Sequence, residues 1–409
     1  MNLGVFARLC VMMFLNFFVW GSWQSTLGVY MERNSMADSV ANAFIVHWAG
    51  AIVSPFLVGM IADRFFSTQV ILGSLHLVGG ILLLIMPSVG ATMKIEGSHV
   101  PFLLLIFVHM ICYMPTINLT TSLSFNNLSD SQKQFPLVRV FGTFGWIAAG
   151  LLVSFLGFDG QKGIFFLSGI AALALGLYCF TLPDTPPPAK GQKVSVRTVL
   201  GLDALVLLKD PSYLVFAISS FLICIPLSVY YGFTGNYLSD VGITNQAGTM
   251  TIGQMSEIFF MIAMPLFFVR LGVKWMIAVG MLAWVLRYAA FAIGTPDALI
   301  WIYIGIALHG ICYDFFFVTG YIYTDKRAPA EIRSQAQGFL VWITLGWGMV
   351  IGSLVSKYLF NPILSRPEGT RIPLWHNSWW IQAGAAAVIL VFFVLFFRPR
   401  VEETPAIKD

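Results

Sequence analysis

Charge is what this chain has least of. Asp, Glu, Lys and Arg make up 10% of its 409 residues, and hydrophobic side chains make up 58%. An ordinary soluble domain carries about 25% charged residues. Water would reject that much apolar surface, whereas a bilayer accepts outward-facing Leu, Phe, Ile and Val, so the composition excludes a soluble fold. Cysteine is also scarce. Cys10, Cys112, Cys179, Cys224 and Cys312 all fall in apolar stretches and form no Cys-x-x-Cys pair, so they read as small core residues, and no metal site is expected.

Several motifs are missing. No Gly-x4-Gly-Lys-Ser/Thr loop or Gly-x-Gly-x-x-Gly turn occurs, which argues against ATP-driven pumping or a dinucleotide cofactor. No His-Glu-x-x-His, Gly-x-Ser-x-Gly or Asp-x-x-Asp-Gly stretch occurs either. No enzyme activity and no cofactor are therefore expected. The net charge of +4 comes without a basic cluster, so no nucleic-acid partner is expected. The amino end has one Arg before a long apolar run but lacks a small-x-small cleavage site, and it reads as a first membrane helix.

What is present is apolar runs of membrane length. A helix needs roughly 20 apolar residues to cross the hydrocarbon. With that ruler the sequence predicts spans near 6–30, 41–62, 69–89, 101–124, 136–156 and 163–182, then 212–238, 249–269, 273–294, 298–323, 334–358 and 374–397. The expected fold is an all-α integral membrane protein of twelve transmembrane helices in two six-helix bundles. The bundles are residues 1–183 and 212–398, joined by a cytoplasmic linker at 184–211 and followed by a cytoplasmic tail at 399–409. The linker is Pro-rich and Lys-containing, and Val196 to Leu208 within it could form a surface helix. Lys and Arg concentrate in loops on the side of both ends, for example Arg8, Lys133, Lys209, Arg270, Lys326 and Arg398. The positive-inside rule then puts both termini in the cytoplasm. Trp375, Trp379 and Trp380 suit an outer interfacial belt. Two joined sets of six helices suggest a binding site near the midplane where the halves meet.

An ionisable side chain at a helix centre costs about 2.5–3.5 kcal/mol on insertion scales, so each one calls for a partner or a watery cavity. Arg139, Glu257, Arg287 and Asp314 stand out. Arg139, Thr143 and Trp146 recur at i, i+4 and i+7, which puts a guanidinium, a hydroxyl and an indole on one helix face. They would hold an anion or hydroxyl and stack a flat ring, unless Arg139 snorkels to the nearby interface. Gln254 and Glu257, three apart, could bind vicinal hydroxyls, and Glu257 is a candidate proton carrier; the alternative is a packing pair with Arg287. His309 and Tyr313 share a face, and Asp314 points about 100° away from Tyr313. Asp314 could be a proton site, an arginine's partner or a gate. Arg287 reads as one half of a structural ion pair, and His76 and His109 as hydrogen-bonded packing groups. Asn16, Trp20, Trp23, Gln24 and Tyr30 on the first helix, and Tyr230, Tyr231 and Asn236 on the seventh, could pack or could line a cavity.

After the second span comes GMIADRFFS, in which Gly59, Asp63 and Arg64 resemble the Gly-x-x-x-Asp-Arg loop of the major facilitator superfamily. Those residues permit close helix approach, cap a helix start and bridge neighbouring helix ends, which makes a conformational gate. The stretches FVWGSWQSTLGVYM, YMPT, FPLVRVFGTFGW, VLGLDALVLLKD, GQMSE, AWVLRYAAF, YDFF and AEIRSQAQG resemble the nucleoside:proton symporter family within that superfamily. The resemblance implies import of nucleosides with protons by alternating access; short loops and the lack of a glycosylated-domain insertion point to a bacterial inner membrane, and a monomer is expected. It also implies that Arg139, Thr143, Trp146, Gln254, Glu257, Tyr313 and Asp314 lie at or near the substrate, with Glu257 and Asp314 as proton-coupling candidates. In this resemblance Gln254, Glu257 and Arg139 would serve ribose hydroxyls, and Trp146 or Tyr313 would stack on the base. The chain departs from the family pattern at Trp146, His309, Tyr313, Pro226 and Val229. A carrier of another hydroxylated solute such as a sugar, and a membrane-embedded enzyme or sensor, are the competing readings.

Overall fold

A computed structural model of the protein describes residues 3–90, 92–95, 97–186, 202–329 and 332–398, without the side chains of 55–65, 131 and 132. The regular elements of the described chain are all helices, with one isolated bridge between Ile95 and Ser98. Among the described residues nine helical stretches are long and apolar enough to cross a bilayer. Apolar side chains such as Phe155, Ile262, Leu266, Val269 and Val388 stay on the outside, where lipid rather than water suits them.

The first part contains α1 (Leu3–Gly21), α2 (Leu27–Arg33), α3 (Val40–Phe65), α4 (Thr68–Val89), α5 (Val100–Asn127), α6 (Ser131–Phe155) and α7 (Gly163–Cys179). α1 and α2 form one apolar stretch, interrupted at Gly21 and a short 3₁₀ turn over Gln24–Thr26. α1 packs on α6, α3 on α5, and α4 on both α5 and α7. The last of these contacts rests on glycines seven residues apart on both helices. A methyl at Gly73 or Gly80 would come within 2.9 or 3.0 Å of the Gly176 or Gly169 carbonyl, so the bare backbones touch.

The second part contains α8 (Pro211–Asp240), α9 (Gln246–Ile293), α10 (Leu299–Ala307), α11 (Thr319–Arg327), α12 (Arg333–Val341), α13 (Met349–Leu359) and α14 (Ile372–Phe396). α9 has 48 residues, about 72 Å of helix if straight, more than twice the hydrocarbon thickness. Gly272 divides it with φ 63° and ψ 179°, a conformation essentially restricted to glycine. The two spans read from sequence on either side of this point therefore meet with no loop between them. Two π-helical segments, Ile311–Val318 and Trp342–Gly348, interrupt the stretches that join α10 to α11 and α12 to α13. Periodicity does not reveal them, because a π-turn is made by one residue of local slack.

α9 and α8 pack on α14, and α8 packs on α13. Contacts between the first and second parts run through α6 on α9, α3 on α13, and α2 on α8. Two tryptophans differ from the belt expected for them. Trp380 is exposed, but Trp375 and Trp379 are fully buried against Tyr237 and Phe360. The indole N–H of Trp375 donates to Asp240 at 2.6 Å, which gives its polar edge a partner inside the protein. Of the linker, Leu202–Lys209 forms a 3₁₀ helix with Ala204 and Leu207 buried; residues 187–201 and the tail at 399–409 lie outside the described residues.

Gly272 supports a direct test. A methyl there would meet nothing within 4 Å, so the cost of Gly272→Ala is backbone strain alone, about 1–3 kcal/mol. The thermal midpoint in detergent should fall by several degrees. Gly338→Ala, at an exposed position of α12 with equally open space, should leave it unchanged or raise it slightly.

Candidate substrate-binding site

A cavity of about 440 Å³ lies where the two parts of the chain face one another. From the first part come Trp20 and Gln24, Trp48 on α3, Asn118 on α5, and Arg139, Thr143 and Trp146 on α6; from the second come Tyr231, Gln254, Glu257, His309, Tyr313 and Tyr321. Six of the residues singled out by charge and spacing thus share one space: Arg139, Thr143, Trp146, Gln254, Glu257 and Tyr313.

Helix geometry explains the first wall. The i, i+4, i+7 spacing aligns Arg139, Thr143 and Trp146 on one face of α6. The Arg139 guanidinium lies 4.3 Å from the Phe17 ring centroid, and Arg139 lines the cavity. Gly142 makes room for it, since a methyl there would crowd both the Phe17 ring and the guanidinium at 2.7 and 2.8 Å. Trp146 meets Trp20 edge-on at 5.3 Å, and Gly21 at the α1 break packs against its ring. Two large flat surfaces therefore border the cavity.

The opposite wall is carried by α9. Gln254 and Glu257 are each 8% exposed, and the Gln254 side-chain oxygen has no protein partner among the described residues. The Glu257–Arg287 pair considered from sequence is not formed: Arg287 meets His309, and Glu257 shares the cavity with Arg139. A guanidinium and a carboxylate facing the same space, with a hydroxyl, an amide and several aromatic faces, can hold a small ligand that has both a flat ring and hydroxyl groups.

Asp314 stands apart. It lies in the first π-segment, is fully buried, and neither of its oxygens has a hydrogen-bond partner among the described residues, yet it does not line the cavity. The side chains of Gly59, Asp63 and Arg64 lie outside the described residues. His76 bonds the Asn16 side-chain oxygen at 2.9 Å and His109 bonds the Gly79 carbonyl at 3.1 Å, so both are packing groups; the same Asn16 oxygen accepts from Thr116, and Tyr113 donates to the Asn16 backbone carbonyl. Of the first-helix stripe only Trp20 and Gln24 reach the cavity, and of the α8 group only Tyr231. Trp48, Asn118 and Tyr321 have no charge or pattern in the sequence that sets them apart; they reach the cavity only through the packing of α3, α5 and α11.

Polar contacts between the two parts collect at one end. Glu32 pairs with Arg371 and accepts from Asn236 at 2.7 Å, while Arg371 also meets Asp240 at 3.3 Å. Asn361 donates to the Asp38 carbonyl at 2.7 Å and accepts from the Ala41 N–H at 3.1 Å. Asp159 accepts from the Ala247 N–H at 2.7 Å, and the Ser154 hydroxyl accepts from the Gly248 N–H at 2.8 Å, so both cap the start of α9. Burial raises the Asp159 carboxyl above its usual range, and these bonds pull it partly back.

The family profile described as nucleoside H+ symporter matches residues 3–402. YegT of Escherichia coli (strain K12) is 38% identical over 98% of this chain and 96% of its own length. The xanthosine permease of the same organism is 30% identical, over 97% of this chain and 96% of its own length. A crystal structure of the nucleoside transporter NupG superposes with TM-score 0.85 at 28% identity, covering 98% of this chain and 100% of that one.

Gln24 tests whether the cavity is built for a ligand rather than for packing. It is 1% exposed, and neither atom of its amide finds a protein partner among the described residues. Gln24→Leu should therefore raise the ligand-free thermal midpoint, by the equivalent of about 1 kcal/mol. A lowered midpoint would mean that the amide is holding the fold together.

Proposed function

The chain belongs to the nucleoside H+ symporter family, and on that footing we propose that it imports nucleosides together with protons by alternating access through the cavity described above. The observation that carries this reading is the facing of Arg139, Thr143 and Trp146 on α6 by Gln254 and Glu257 on α9 across about 440 Å³, a size within the usual range of about 300–1,000 Å³ for small-molecule sites. The names of the xanthosine permease and the nucleoside transporter NupG point to the same solute class. Gln254 and Glu257 would take the ribose hydroxyls with Arg139, and Trp146 or Tyr313 would stack on the base. The membrane protein is a carrier, with no chemical step on its solute.

In this proposal the chain crosses the membrane twelve times. That number counts the 48-residue α9 as two crossings about Gly272 and adds α3 and the shorter apolar α7 to the long stretches. Residues 1–183 and 212–398 act as the two rocking bundles, joined by the 184–211 linker, with both termini and the 399–409 tail in the cytoplasm of a bacterial inner-membrane monomer. The polar contacts around Glu32, Arg371 and Asp159 would close the outer end, and Gly59, Asp63 and Arg64 would gate the inner one. Glu257 and Asp314 are the carboxyls available for the proton. Glu257 is favoured as the coupling group because it faces the substrate space, where one residue can sense both ligands.

Reconstituted in vesicles, the protein should accumulate uridine when a proton gradient is imposed. Glu257→Gln should abolish accumulation while retaining counterflow exchange, because the amide keeps hydrogen bonds to hydroxyls but cannot carry the proton. Undiminished accumulation would remove Glu257 from coupling. Competition of uridine uptake by unlabelled nucleosides, and not by hexoses, separates this reading from sugar transport.

A further inference from the structure

Arg287 is an intramembrane charge that the transport reading leaves unused. It is fully buried on α9 and pairs with no carboxylate among the described residues. Its guanidinium carbon sits 3.4 Å from the Tyr230 ring centroid, and one nitrogen lies 3.1 Å from Nδ1 of His309; its other two nitrogens have no partner among the described residues. Tyr230 stacks in turn on the His309 ring at 5.6 Å and 19°. The attraction of a desolvated guanidinium to an aromatic face helps offset its burial.

The bond to His309 has a chemical consequence. A guanidinium has only donors. The Nδ1 it touches must therefore present a lone pair, which excludes the doubly protonated ring and the Nδ1–H tautomer. The remaining proton sits on Nε2. His309 lines the cavity, and Nε2 has no protein partner among the described residues. Two aromatic cavity residues lie near the ring, Tyr313 at 5.9 Å and Tyr231 at 6.4 Å. Flat surfaces of this kind receive the flat part of a ligand, while the hydroxyl-binding Gln254 and Glu257 serve its sugar.

We infer that Arg287 fixes His309 as a one-way N–H donor, so that the site selects nucleosides whose base offers a carbonyl oxygen there over those that offer an amino group. His309 is then a specificity-determining residue and Arg287 a positioning residue acting through it. The inference rests on the cavity being a nucleoside site. An amino group at that point would set donor against donor, and the loss of one hydrogen bond together with the stranding of a buried donor amounts to about tenfold in affinity.

The test is competition of uridine binding to the purified full-length protein in detergent. Uridine against cytidine, and inosine against adenosine, each exchange one ring carbonyl for an amino group. The wild-type protein should prefer the carbonyl member of each pair about tenfold. His309→Gln, whose amide can either donate or accept, should bind both members with a ratio near one. Arg287→Met should also bring the ratio toward one by freeing His309 to take the other tautomer. A purely structural role would weaken every nucleoside alike and leave the ratios unchanged, and that result would overturn the proposal. If either variant fails to fold, ¹⁵N spectra of histidine-labelled wild-type protein decide: His309 should show one unprotonated Nδ1 and one protonated Nε2, and the opposite tautomer or a doubly protonated ring would overturn it. Nucleoside binding without carbonyl preference would refute this inference alone, whereas absence of any nucleoside binding would refute the nucleoside reading on which it rests.

Discussion

A charged or hydrogen-bonding group inside an apolar chain persists only where something other than lipid meets it, and this constraint organises the whole molecule. Each intramembrane charge solves it differently. Arg139 and Glu257 face a shared cavity, and Arg287 lies on Tyr230 against His309. Asp314 is buried with neither, inside a π-helical turn. Local π-turns recur at functional sites because they loosen a helix where a side chain must be re-aimed. The cavity is thus the condition that lets Arg139 and Glu257 exist in the membrane interior, and the same condition makes the site polar enough to take a hydroxylated solute.

The distribution of polar contacts gives this arrangement a direction. Between the two parts of the chain, the described hydrogen bonds gather around Glu32, Asp38, Ser154, Asp159, Asn236, Asn361 and Arg371. Each is an exchange of one polar partner for another, and water could replace any of them at modest net cost. Such a closure can hold one end shut without making it permanent. The glycine-lined contact of α4 on α7, by contrast, joins bare backbones within one part and leaves little room to slide. A carrier that rocks needs this contrast: rigid packing within each part, and exchangeable polar contact between them.

Much of the site was legible in the sequence because it is made of exceptions. Arg139 and Glu257 are conspicuous in apolar runs, and i, i+4, i+7 spacing is enough to join Thr143 and Trp146 to Arg139 on one face. What the sequence does not carry is the set of contacts made across helices. Nothing local indicates that Arg287 stacks on Tyr230 rather than meeting Glu257, or that Trp375 turns inward to Asp240 instead of outward to the interface. Gln24 needed the break in α1, and Trp48 and Tyr321 needed the packing of their helices, before either could be assigned to the cavity. The joining of two spans at Gly272 was hidden for a similar reason. A glycine between two apolar runs reads as a loop until its backbone angles are known.

The central claim is that a nucleoside occupies the space between α6 and α9. Determination of the structure with uridine at saturating concentration tests it most directly. The account predicts ligand density in the cavity, with the base against Trp146 or Tyr313 and the ribose within hydrogen-bond reach of Gln254 and Glu257. Density elsewhere, or an empty cavity under conditions where uridine is bound, would contradict it.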